Sequence, residues 1–323
     1  MAMLLTVGPS LSKHVRFGFA LQTTEGSASE DAADTNWLPF NDTVDLARMG
    51  NAEIYQQADY TDYNHLMFSS GQWFEGGVPV ALQAVEASLD DLITWITDRT
   101  TMGYNQGMFA TVFLVDEYQS REIIDVKVRE ATITFTKGGV VKFTLGLVGK
   151  EHASYNGPDV DVTTGGPYIY KEATVTTDVG GIGSLSADYE FEEIEVRIDN
   201  VLEDPSEGMR LDGGWNPRVL YNLGGPDVTG RFTRDIPEAG GSDFFTKWRS
   251  QLDDTFGTSY DGQINIALLR GGITLNLLMS RVRWMDPRND YPGDNRSRIK
   301  VESDFTALGS DDGATAPITL TTP

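Results

Sequence analysis

The chain is 323 residues long and carries 48 acidic against 25 basic side chains, a formal charge of −23, with 40% hydrophobic residues and no cysteine. The lack of cysteine excludes disulfides and thiolate metal sites, and a charge of this sign argues against tight DNA or RNA binding, which needs basic surface to displace counterions from phosphate. The length accommodates two domains with buried cores, and 34 glycines with 13 prolines suit a mainly β protein rich in turns.

Residues 1–14 read as an arm, because Gly8, Pro9 and Ser10 break any regular element. This start lacks the basic region and full apolar core of a secretion signal, and no apolar run approaches membrane-spanning length, so a soluble, cytoplasmically made protein is expected. The first predicted strand covers 15–22, with Phe17, Phe19 and Leu21 on one face. The acidic stretch 24–34 reads as an exposed loop, and a strand follows near 43–48. Between 49 and 71 periodicity is poor and aromatic residues crowd together, so a long excursion is expected to bury Tyr55, Tyr60, Tyr63, His65 and Phe68 against another subunit, as the candidate loop between stacked rings of subunits. A strand over 78–85 then leads into a helix, with Ser88 and Asp91 in the form of a capping box and Leu89, Leu92, Ile93 and Ile96 along one side. Three β-type runs close this half, at 109–115, 123–135 and 140–148.

The glycine- and proline-rich stretch 151–167 is the best linker candidate. It divides the chain into an arm (1–14), a first β domain (15–153), a linker (154–168), a second β domain (169–308) and a C-terminal arm or disordered tail (309–323). Over 185–199 apolar and acidic residues alternate: Leu185, Ala187, Tyr189 and Phe191 take one face, Asp188, Glu190 and Glu192 the other. A bulge at Glu192–Glu193 keeps Ile194, Val196 and Ile198 in register. A second excursion over 200–227 precedes a strand at 228–234. The sequence of a capped amphipathic segment followed by three β runs then recurs, at 242–248, 263–269, 273–284 and 299–308. Ser242 follows Ser88 by 242 − 88 = 154 positions, and repetition of element order at one spacing points to a duplicated module.

Signals for chemistry are weak. Residues 180–183, Gly-Gly-Ile-Gly, touch a nucleotide-loop pattern, but a strand follows where a helix is required, so a hairpin turn is expected. His14, His65 and His152 are far apart, with neither an HExxH pair nor a GxSxG elbow. Asp59, Asp62 and Asn64, and the aspartates of 286–294, lack the spacing of a calcium loop and read as solvated turn residues. Trp73 and Phe74, like Phe244, Phe245 and Trp248, read as core residues or anchors at a subunit contact. No catalytic, cofactor-binding or metal-binding residue is assigned, and no cofactor is expected.

The order of elements resembles the tail tube proteins, or major tail proteins, of long-tailed viruses of bacteria and archaea, from about Val15 to Leu308. The resemblance rests on 71–79 (GQWFEGGVP) before the helix, 130–135 (EATITF) with Gly138 and Gly139 before the closing strand, and 198–202 (IDNVL) with 228–232 (VTGRF). It implies two tandem tail-tube-like β-sandwich domains, each with one flanking helix, contributing strands to an intersubunit β-barrel around a channel. Single-domain members stack as six-fold rings, so a two-domain chain implies trimeric rings of pseudo-six-fold symmetry. It implies a structural virion protein of the viral tail, assembled in the host cytoplasm. Its partners are then further copies of itself and the tape measure, tail terminator and distal tail proteins, with viral DNA passing through the lumen unbound and no membrane involved. Abundant aspartate and scarce lysine are similar to proteins of salt-rich cytoplasm, including those of haloarchaeal viruses.

Physical reasoning agrees with a polymer, because closing strand edges of several subunits into a barrel removes unpaired backbone groups. An acidic lumen repels DNA phosphates, and Asp188, Glu190, Glu192 and Glu195 are the candidate lumen face; a solvated face of a halophilic protein is the competing reading. Two other classes fit parts of the pattern: a carbohydrate-binding β-sandwich surface protein, and a β-rich glycoside hydrolase with two carboxylates at a fixed separation.

Overall fold

Alternation of apolar and polar side chains dictates most of the structure. In the strand Ser120–Thr136, for example, Ala131, Ile133 and Phe135 are buried while Thr132 and Thr134 face outward. The computed structural model describes residues 16–29, 36–39, 44–55, 66–102, 106–115, 120–155, 165–178, 186–187, 190–208, 216–235, 261–290, 299–310 and 315–322. The protein is mainly β, with one α-helix among the described residues.

The first half contains β1 (Arg16–Leu21), β2 (Asn36–Leu38), β3 (Asp45–Tyr55), β4 (Leu66–Ala81), α1 (Glu86–Thr97), β5 (Ala110–Val115), β6 (Ser120–Thr136), β7 (Lys142–Gly149) and β8 (Glu151–Ser154). The second contains β9 (Ala173–Asp178), β10 (Ser186–Ala187), β11 (Phe191–Asp199), β12 (Asp227–Asp235), β13 (Gly262–Arg270), β14 (Ile273–Asp290), β15 (Lys300–Ala307) and β16 (Thr319–Thr321). Every pairing between them is antiparallel.

Strand pairing repeats between the halves. In the first, the hydrogen-bonded order is β2-β1-β5-β6-β7-β4-β3, with β8 also on β6. In the second it is β10-β9-β13-β14-β15-β12-β11, with β16 also on β14. The eight strands of each half thus pair in the same order, taken from the same places in the chain. The halves meet edge to edge, because β11 pairs with the C-terminal part of β6, from Glu193 opposite Thr136 to Asp199 opposite Glu130. The result is one sheet system of 16 strands.

A contiguous apolar cluster runs through both halves, from Phe17 to Leu320. Helix α1 covers part of it with Leu89, Leu92, Trp95 and Ile96. The Trp95 ring stacks on Phe19 at 5.0 Å, and its Nε1 donates to Val126 O at 2.9 Å. Each apolar side chain withdrawn from water in this way contributes roughly 1.5–3 kcal/mol before entropy is charged.

Several expectations change. Ser88 and Asp91 do not cap the helix, which starts at Glu86 with Val85 at the N-cap. They instead clamp β2: Ser88 Oγ donates to Asn36 Oδ1 at 2.9 Å, and Asn36 Nδ2 donates to Asp91 Oδ2 at 2.7 Å. The expected excursion over 49–71 is largely a hairpin of β3 on β4, stabilised by nonlocal ladder bonds that local periodicity does not register. The expected strand 185–199 is not continuous: β10 pairs with β9, whereas β11 starts at Phe191. The three-residue strands β2 and β16, with the four-residue β8, are additions too short for periodicity to reveal, and the six-residue β9 is a further addition. Within the tail, Ile318 and Leu320 are buried and β16 pairs with β14. Within the expected linker, Tyr168 is fully buried, its N–H donating to Leu82 O at 3.0 Å and its hydroxyl to Ile273 O at 3.2 Å. The second predicted helix, 242–248, with Phe244, Phe245 and Trp248, lies outside the described residues.

Candidate assembly surface

The junction strand β11 sorts its side chains by face. Its pairing with β12 is irregular between Phe191 and Glu193, the bulge expected there. Beyond it Ile194, Val196 and Ile198 are buried, whereas Glu193, Glu195, Arg197 and Asp199 lie on the other face. Partners across the strands organise these charges. Glu195 is opposite Arg231 on β12, with their charged groups at 3.5 Å, and Arg197 reaches Glu130 on β6 at 2.6 Å. Glu192, in the bulge, accepts from Lys300 at 2.5 Å and from Lys137 at 3.0 Å, and these two hydrogen bonds hold its carboxyl below the usual glutamate range. Such exposed pairs add little stability; they fix which carboxylates remain uncompensated.

Of the candidate lumen residues, Glu195 lies on the outward face and Glu192 is ion-paired in the bulge. Glu190 precedes β11 and is half-buried, its carbonyl accepting from Asp235 N–H at 2.9 Å. Asp188 lies outside the described residues. Glu193 joins Glu195 because the bulge shifts the phase by one residue, a consequence readable from the adjacent Glu192–Glu193 pair. In the candidate inter-ring loop, Tyr60, Tyr63 and His65 lie outside the described residues. Tyr55 and Phe68 belong to the hairpin strands, paired with Leu66 and Glu53 respectively. Residues 180–183, with His14, Asp59, Asp62, Asn64 and 291–294, also lie outside. Trp73 and Phe74 are buried, Phe74 in the main cluster.

The excursion between β11 and β12 returns to the first half and is held there by buried polar groups, which sequence patterning does not reveal. Asn200, directly after β11, donates from Nδ2 to Ile96 O and Val128 O, both at 2.9 Å. Lys127 on β6 is buried and donates to Leu220 O at 2.9 Å and Asn222 Oδ1 at 3.0 Å. Burial, with Arg99 and Lys150 nearby, pulls its ammonium down to about 7, against opposing pulls from Asp98 and Glu25. Lys150, also buried, reaches Glu25, Asp125 and Arg218 O. The Phe109 ring lies 5.6 Å from Lys127 Nζ and 4.6 Å from Lys150 Nζ.

Among the described residues, the 285–290 part of β14 and β3 each lack the neighbour that their counterparts β6 and β11 have. One edge of β6 is filled along its length, by β5 over Ser120–Val126 and by β11 over Glu130–Thr136. The corresponding edge of β14 is filled by β13 as far as Val282. Over 285–290 no strand among the described residues takes the place that β11 takes on β6. Among the described residues β3 pairs with β4 alone, whereas its counterpart β11 pairs with both β12 and β6. Both regions expose a methionine, Met285 at 52% and Met49 at 44%. A polar groove lined by Glu193, Arg231, Arg288, Glu302 and Asp304 adjoins the open part of β14.

Among the described residues no cluster of three or more His, Asp or Glu is placed to hold a metal ion, and no helix is long and apolar enough to cross a membrane. No protein-family model matches the chain, and no curated protein matches it.

Proposed function

We propose that this chain is a structural, non-catalytic virion protein, the subunit of the tail tube of a long-tailed virus. Each chain contributes two tail-tube-like β modules. Copies join side by side into rings, three chains supplying six modules, and the rings stack into a hollow cylinder that delivers the genome.

The observation that carries this reading is the edge-to-edge union of two equivalent eight-strand patterns through β6 and β11. Two modules already joined by a shared ladder suit the arc of a ring, and the edges of β3 and of 285–290 in β14, which meet no further strand among the described residues, are available to other copies. The sequence resemblance supports the same reading. So does the outward face of β11, whose Glu193, Glu195 and Asp199 against Arg197 would leave DNA weakly held in a lumen. Terminator, tape measure and distal tail proteins are then partners at the tube ends and in the channel, and the site of action is the virion.

Negative-stain electron microscopy of the purified protein across salt concentrations tests the proposal. Rings or tubes of uniform width are expected. Protein that stays monomeric at every salt and protein concentration would overturn it, as would saccharide binding or hydrolysis by such a monomer.

A further inference from the structure

We propose that the open edge of β14 over 285–290 receives β3 of a second copy of this chain, antiparallel, in the arrangement that β6 and β11 adopt within one chain; the inference rests on the tube-subunit reading and specifies its contact. Equivalence of position is the basis. β14 corresponds to β6 in pairing order, and β3 corresponds to β11. The single chain satisfies one of the two equivalent edge pairs, β6 with β11, and among the described residues leaves the other pair, the 285–290 part of β14 and β3, unjoined. A second copy brings the missing strand.

The chemistry of the two edges agrees. The junction ladder spans seven pairs, from Glu193–Thr136 to Asp199–Glu130. β3 has 11 residues, enough to supply such a ladder. The exposed Met49 and Met285 give each edge an apolar side chain to cover. Pro287 falls within the irregularity between Met285 and Arg288 of β14. A proline and a bulge at an edge disfavour pairing of two β14 strands with each other, which directs the edge to an unlike strand. Because the joined edges differ, the contact is head-to-tail, and each copy offers one edge of each kind.

Complementation of two edge variants tests this. Proline is placed on β3 at Ala47 or Arg48, and separately on β14 at Asn289 or Asp290. Adjacent N–H groups point to opposite edges, so one position in each pair spares the existing ladder; that variant is chosen by a melting temperature like the parent's. Each variant alone is expected to be monomeric by size exclusion with light scattering. A 1:1 mixture is expected to give dimers and nothing larger, since each variant retains the edge the other lacks. Met49→Lys and Met285→Lys, at exposed side chains, form a second pair that spares the backbone, and each is expected to lose assembly at low salt. Parental protein that assembles, with variants that assemble equally or a mixture that stays monomeric, overturns this contact and leaves the tube reading standing. Parental protein that never assembles overturns both.

Discussion

Arg99, just past the end of helix α1, donates from Nη2 to both oxygens of Asn200, at 2.8 Å to Oδ1 and 3.2 Å to the main-chain O. Asn200 in turn donates to Ile96 O and Val128 O, and its own N–H donates to Arg129 O at 2.8 Å. One buried amide thus ties the end of the junction strand to the helix and to β6. Asn200→Ala leaves the Ile96 and Val128 carbonyls without their Nδ2 donor and the Arg99 guanidinium without its Oδ1 acceptor, while the main-chain contacts remain. A loss of about 2–4 kcal/mol is expected. Chemical denaturation at constant m-value measures it, and a change below about 0.5 kcal/mol would contradict the role assigned to Asn200.

Lys127 sets a pH dependence with a definite sign. Its folded value near 7 lies below the ordinary lysine value of 10.5, so between these values the unfolded chain binds more protons. Stability from this group therefore rises as pH increases from about 7 toward 10.5, and below about 7 the cost of burying the charge is constant. The stability of the parent relative to Lys127→Met should climb in that window by at most about 1.4 kcal/mol per pH unit. A flat difference across pH 7–10, the range of the cited shift, would show that the ammonium is not desolvated.

Gly230 on β12 lies beneath the Phe305 ring. A Cβ there would meet Phe305 Cζ at 2.2 Å and Glu195 O at 2.4 Å, and the latter is backbone of the neighbouring strand. Gly230→Ala is expected to cost at least about 2 kcal/mol, through displacement of Phe305 from its edge contact with Trp284. Thermal melting measures the cost, and near-ultraviolet circular dichroism should report the disturbed aromatic pair. Parental values in both would refute the close packing.

Charge on the outward face of β11 should govern contact with DNA in the assembled particle. Glu193→Lys with Glu195→Lys leaves the buried Ile194, Val196 and Ile198 untouched. Tubes of this variant are expected to retain double-stranded DNA at low salt and release it as salt rises, whereas parental tubes do not retain it. Sedimentation of tubes with labelled DNA distinguishes the two. Assembled variant tubes that ignore DNA would place this face away from the lumen.

Long regular elements were legible from pattern. Strands near β1, β5, β6, β7, β12, β13, β14 and β15 follow from alternation, because a half-buried strand must repeat every two residues. The bulge before Ile194 was legible for the same reason: three apolar residues in phase require one extra residue among the acids. The repeat of element order was visible too, since it depends only on spacing. The wrong reading of Ser88 and Asp91 has a physical origin, because a capping residue and a buried polar clamp are chemically alike. Only the approach of Asn36, 52 residues away from Ser88, decided between them.

By itself, then, the sequence determined that this protein is mainly β, acidic, free of thiols and built on a recurring order of elements. These properties follow from composition and short-range periodicity, which act between neighbours in the chain. Tertiary structure alone decided that β11 continues the edge of β6 that β5 fills, that Asn200 and Lys127 anchor the second half on the first, and that β3 and the 285–290 part of β14 have an edge with no further strand among the described residues. Pairing between strands distant in sequence depends on which edges remain open after local hairpins close, and alternation within a strand does not say which strand will take its edge.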